Sequence, residues 1–265
     1  MRQFRAGVAF LVFLAAGAPA GAEQFDLTRA VQSTSLDQGD FTTTYGVEIQ
    51  RGITTVSKGT GGGGTGDGGG LGGRRDYQGV MHRLAAYYAP LSWFALGVDQ
   101  SVRQLDYGEF EYGVLYPEAR FRLPLLRSVG VETSAFTGTR IRINARRAHT
   151  MVVGVGAERR FGRLALLVDV AGETSLATED RENGLRYEAG ASMFLWGPLS
   201  AALEFWGTAV WPDNAVFQHS QHAGPTLKVR LRRFWAATNV GVGIKDRPNN
   251  TFYEYAVMVV LGFAL

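Results

Sequence analysis

From Phe41 onward, apolar and polar positions alternate in segments of about ten residues separated by turn signals. The first segment puts Phe41, Thr43, Tyr45, Val47 and Ile49 on one face and Thr42, Thr44, Gly46, Glu48 and Gln50 on the other. The last, from Thr251 to Leu265, puts Tyr253, Tyr255, Val257, Val259, Leu261, Phe263 and Leu265 on a continuous apolar face. Between them lie Gln78–Ala89, Trp93–Arg103, Tyr112–Leu123, Val129–Thr137, His149–Arg160, Leu164–Glu173, Leu185–Leu195, Leu199–Val210, Ala223–Arg232 and Phe234–Lys245. A period of two throughout predicts an all-β chain of about twelve strands (about 10–14), the even number that closed antiparallel barrels favour.

The connections alternate as regularly as the strands. One set is short: Pro90-Leu91-Ser92, Pro124-Leu125-Leu126-Arg127, Arg160-Phe161-Gly162, Trp196-Gly197-Pro198 and Arg232-Arg233. The other is long: Thr54–Tyr77, Gln104–Glu111, Gly138–Ala148, Thr174–Gly184, Trp211–His222 and Asp246–Thr251. Short turns on one rim and long loops on the other are the periplasmic and extracellular ends of a barrel that spans an outer membrane. Aromatic residues gather at both rims, with Tyr88, Trp93, Phe94, Phe121, Phe161, Trp196, Phe234 and Trp235 by the short turns. Tyr107, Phe110, Tyr112, Phe136, Trp211, Phe252 and Tyr253 lie by the long loops, giving the two interfacial girdles of such a barrel.

The N-terminus supplies an address. Arg2 and Arg5 precede an apolar run from Ala6 to Ala16, and Ala20-Gly21-Ala22 offers a small-residue cleavage site. The run is too short to span a bilayer as a helix. The expected organisation is a signal peptide at 1–22 cleaved after Ala22, a short periplasmic segment at 23–39, and a barrel at 40–265. Its first extracellular loop, 54–77, is rich in glycine.

Charge and composition narrow the classes further. The chain carries 27 basic and 24 acidic side chains. Cleavage removes Arg2 and Arg5 and no acid, leaving 27 − 2 = 25 basic against 24 acidic side chains, so the basic pI does not argue for nucleic acid. Cysteine is absent, which excludes a disulfide frame, thiolate metal sites and a thiol nucleophile. The mature chain has no apolar stretch long enough for a membrane helix, so a membrane location requires a closed barrel.

Signal peptide, alternating strands, rim asymmetry and terminal strand together resemble the bacterial outer-membrane β-barrel class over essentially the whole mature chain. The resemblance implies a transmembrane antiparallel up-and-down barrel in the outer membrane. Its implied partners are lipid, lipopolysaccharide and the barrel-assembly machinery. Members usually end in Phe or Trp as part of an assembly signal; here the last residue is Leu265, with Phe263 two positions earlier on the same face.

If the apolar faces meet lipid, the opposite faces line the lumen, because Arg or Lys at the midplane of the lipid face costs about 2–4 kcal/mol. The expected lumen-lining set is Glu118, Arg120, Arg122, Glu132, Glu158, Arg160, Glu204, Lys228, Arg230 and Arg232, joined by Tyr116, Asp169, Arg186 and Glu188. Arg140, Arg142, Arg146 and Arg147 make one long connection basic, and Glu173, Glu179, Asp180 and Glu182 make the next acidic. As mouth-loop charges they are placed to pair across the entrance or to meet lipopolysaccharide phosphates.

No catalytic set assembles. A lipase of this class needs a serine beside a histidine, on the same face of an adjacent strand. His82, His149, His219 and His222 fall at the extracellular ends of strands or in loops, and Ser101 points away from His82. His219 and His222 lack a carboxylate to complete a metal site. The run GTGGGGTGDGGGLGG at 59–73 has one carboxylate, Asp67, and no Gly-Lys-Ser/Thr ending, so it reads as a surface linker rather than a calcium or phosphate loop. Neither cofactor nor metal is expected. The sequence therefore supports a non-enzymatic barrel, either a narrow polar pore for small solutes, with basic ladders that favour anions, or a plugged structural and surface-contact barrel. Its oligomeric state is open. The alternatives are an outer-membrane enzyme acting on lipid or lipopolysaccharide and a soluble periplasmic barrel for an apolar ligand.

Overall fold

A computed structural model describes residues 37–55, 74–104, 110–143, 149–176, 181–212, 218–244 and 252–265. The expected signal peptide, most of the periplasmic segment and the glycine run of the first loop lie outside the described residues. The strands are β1 (Phe41–Thr55), β2 (Arg74–Leu91), β3 (Phe94–Gln104), β4 (Phe110–Leu123), β5 (Val131–Arg142) and β6 (Thr150–Phe161). They continue as β7 (Leu164–Ser175), β8 (Glu182–Trp196), β9 (Leu199–Pro212), β10 (Gln218–Leu231), β11 (Phe234–Gly243) and β12 (Phe252–Ala264). Each strand pairs antiparallel with its sequence neighbours, and β1 pairs with β12, so the sheet closes into a barrel.

The seam is sealed by main chain. Phe41 N–H donates to the Leu265 carbonyl at 3.2 Å, and Leu265 N–H donates to the Phe41 carbonyl at 2.8 Å. Closure leaves no unpaired edge, which a strand in hydrocarbon requires. Four of the short connections are two-residue turns, at 92–93, 162–163, 197–198 and 232–233. Gly162 (φ 58°) and Gly197 (φ 52°) supply the left-handed backbone that tight hairpins need, and Arg232 adopts the same conformation (φ 56°) without being glycine.

On the long-loop side the strands outrun their hydropathy signal. β1 continues to Thr55 and β2 begins at Arg74, shortening the first loop from the expected 54–77. β5 reaches Arg142, β8 starts at Glu182 and β10 at Gln218. Beyond the apolar band both faces of a strand meet water, so alternation fades while the backbone ladder continues to satisfy its own donors and acceptors.

The outer face is apolar and exposed: Leu84, Leu96, Val153, Val155, Val168, Leu203, Val259 and Leu261 all point outward. Trp93, Phe161, Trp196 and Phe234 ring the short-turn rim and Trp211 stands at the other. An apolar belt of this extent, bounded by aromatics, suits lipid and not water.

Candidate functional site: the barrel lumen

The inner wall is built from three kinds of contact. The first is ion pairs between near neighbours. On β4, the Arg120 guanidinium donates to Glu118, and both side chains are buried. On β6, Arg160 Nε donates to Glu158 at 2.6 Å. Arg83 of β2 donates to Asp99 of β3, and Arg140 of β5 reaches Glu173 of β7 at 3.0–3.1 Å.

The second is aromatic rings laid against glycine. Tyr87 faces Gly97, Phe136 faces Gly154 and Trp235 faces Gly262, each pair in register on adjacent strands. A Cβ added at these glycines would sit 2.0–2.2 Å from a ring atom, so each ring lies flat on the wall in space that only glycine leaves. Trp206 lies over Gly241 in the same way and stacks on His222, with centroids 5.4 Å apart and planes 9° apart. Cations cap two of the rings: Arg120 sits 4.4 Å from the Phe136 centroid, and Lys228 Nζ 4.4 Å from that of Trp235.

The third is a hydrogen-bonded chain ending on a carboxylate. Asn239 Nδ2 donates to Thr226 Oγ1 at 2.9 Å, and the Thr226 hydroxyl donates to the Glu204 carboxylate. All three side chains are buried, so Glu204 is solvated by protein rather than water.

Of the lumen set read from sequence, Glu118, Arg120, Glu158, Glu204 and Lys228 are buried on the inner wall. Arg122 and Arg230 are half-buried near the turn rim, while Glu132 and Arg160 are exposed there. Arg232 lies beyond the end of β10, exposed in the turn, so the basic ladder on β10 stops at Arg230. Among the expected mouth-loop charges, Arg140 and Arg142 are not loop residues but sit on β5, because the strand extends past the membrane band. Glu182 is the exposed first residue of β8. Arg146, Arg147, Glu179 and Asp180 lie outside the described residues.

Thr42, Tyr87, Arg120, Ser134, Val152, Lys228 and Met258 are buried on the inner wall. Toward the long loops, inward Thr208 is exposed and Arg186 and Ser220 are half-exposed. Arg83, Asp99 and the ring-on-glycine pairs were not singled out from the sequence. Period two gives the inward face of Arg83, between outward His82 and Leu84, but the identity of a cross-strand partner depends on register.

No protein-family model matches the sequence, and no characterised protein matches it in sequence. Solved structures do match. The COG4313 outer membrane channel from Pseudomonas putida F1 superposes with a TM-score of 0.61 at 9% identity, covering 91% of this chain and 100% of the other. The NanC porin superposes with a TM-score of 0.58 at 9% identity, covering 84% of this chain and 100% of the other. The chain has the fold of a bacterial outer-membrane β-barrel.

In this outer-membrane-type barrel the histidines are dispersed. His82 Nδ1 meets the Tyr45 hydroxyl at 2.9 Å and His219 Nε2 meets that of Tyr187 at 2.7 Å, both on the outer face. His149 Nδ1 accepts the Arg142 backbone N–H at 3.3 Å. His219 and His222 lie within β10, not in the preceding loop. The register sets Val47 and Val102 beside His82, Ala209 beside His219, and Trp206 and Gly243 beside His222. None of these lateral neighbours is a serine.

Proposed function

We propose that this protein is a non-enzymatic channel of the bacterial outer membrane, with a narrow polar pore for small solutes and a preference for anions. The observation that carries this reading is the arrangement of the inner wall. Its described ion pairs join residues of one strand or of strands close together in the sheet, and its large rings lie flat on glycine. Side chains held along the wall keep a twelve-strand barrel from filling as an eight-strand one does. Arg122 and Arg230, half-buried at the turn-side mouth, supply positive charge where an anion would pass. The apolar belt and the fold support placement in the outer membrane. Removal of the signal peptide after Ala22 and contact with lipopolysaccharide and the assembly machinery belong to the same proposal.

A second reading, a plugged barrel, is favoured by one observation: inward side chains on strands all round the barrel are buried, among them Glu48, Arg120, Glu158, Glu204, Lys228 and Asn239. Single-channel recording in planar bilayers separates the two. Steady small steps with an anion-selective reversal potential support the pore; silence from correctly folded, heat-modifiable protein supports the plug.

A further inference from the structure

The outer face carries polar groups where lipid cannot satisfy them. Gln100 points outward from β3, beside Leu84 of β2 and Leu115 of β4, and is exposed. It lies six residues along the strand from Phe94. That is about 15 Å above the turn-side girdle for tilted strands, within an apolar band about 25 Å tall. Its carboxamide makes no hydrogen bond to a described residue. His82, diagonal to it on β2 and six residues from Tyr88, is engaged through Nδ1 by Tyr45. Its Nε2 has no polar contact among the described residues.

These two residues are exceptional. The other polar outward side chains in the described residues, beyond threonine and tyrosine, are Gln104, Arg159, Asn183, His219 and Gln221, and all five sit at the rims. Water is absent from hydrocarbon, and polar side chains at this depth are found paired with one another or facing protein.

We infer that the outer face of β1–β3 packs against the same face of a second copy, forming a twofold dimer in which Gln100 and His82 hydrogen-bond across the interface. A carboxamide presents both donors and an acceptor, so it is its own complement across a twofold axis along the membrane normal. The imidazole Nε2 offers a further partner to the opposite amide. Around these groups Tyr45, Ile49, Leu84, Leu96 and Val98 are exposed apolar surface that would be covered in the same contact. The inference rests on the outer-membrane placement above.

The chain has no cysteine, so Val98→Cys, outward on β3 within the same contact, introduces a single thiol while keeping Gln100. Oxidative cross-linking in native membranes is expected to give a covalent dimer. Leu203→Cys, equally lipid-facing but on β9, is expected to give none. In detergent, Gln100→Ala and His82→Ala are each expected to weaken dimerisation about tenfold by sedimentation equilibrium. Heat-modifiable migration of every variant checks the barrel and its membrane placement separately from the dimer. Equal cross-linking at the two positions would overturn the inference. So would a wild-type monomer in bilayers, or loss of co-purifying lipopolysaccharide on Gln100→Ala with no change in mass.

Discussion

Arg120 donates to Glu118 from two residues along β4 while its guanidinium rests 4.4 Å from the centre of the Phe136 ring on β5. One cation thus satisfies an acid on its own strand and covers a ring on the next. With both charges buried, removing one partner leaves the other without compensation. Glu118→Gln is expected to destabilise the barrel by about 3–5 kcal/mol, and Glu118→Leu with Arg120→Met by clearly less. Urea unfolding in liposomes measures both, and equal losses would refute the pairing.

The ring-on-glycine contacts give a second expectation. Gly154 lies under Phe136, where a methyl group would meet the ring at 2.2 Å. Gly154→Ala must therefore displace the ring and with it the Arg120 contact, at a cost of about 1–3 kcal/mol. Adding Phe136→Leu should recover part of that loss. A neutral Gly154→Ala in the same unfolding assay would contradict the geometry.

Arg232 holds φ 56° at the turn position that Gly162 and Gly197 occupy elsewhere. A side chain in the left-handed region costs about 1–2 kcal/mol. Arg232→Gly should accordingly raise stability by up to about 1 kcal/mol and leave single-channel conductance unchanged. A conductance change would return Arg232 to the lumen.

Neutralising Arg122 and Arg230 together should move the reversal potential in a salt gradient toward cation selectivity, with little effect on stability. Both side chains are half-buried at the turn-side mouth, where charge acts on ions more than on packing. An unchanged reversal potential would remove these arginines from the permeation path.

The sequence made legible what depends on one strand at a time. Alternation placed Glu118, Arg120, Glu158, Glu204 and Lys228 inward, and the twelve strands follow from the same period. What depends on two strands was hidden. Trp235 over Gly262 and Asn239 beside Thr226 exist only in one register, and no local signal in either strand states it. Arg140 and Arg142 were misplaced for a different reason. Their segment is polar on both faces because it rises above the membrane, and a solvated strand looks like a loop when hydrophobicity is the only guide. Hydrophobicity alone puts His222 in a loop on the same ground, though it lies inside β10 against Trp206.

The three in-register rings also act on assembly. A strand that slid by two residues would keep its apolar face toward lipid, so the membrane alone would not reject it. The slide would bring Trp235 over Val260 or Ala264 instead of Gly262, where side chains already fill the space the ring needs. Tyr87 imposes the same demand at β2–β3, where Ala95 and Asp99 flank Gly97, and Phe136 at β5–β6 rejects the slide toward Val152, though Gly156 lies two residues the other way. Misaligned barrels of equal hydrophobicity are thereby disfavoured by collision inside the lumen, which makes the inner wall a proofreader of strand register.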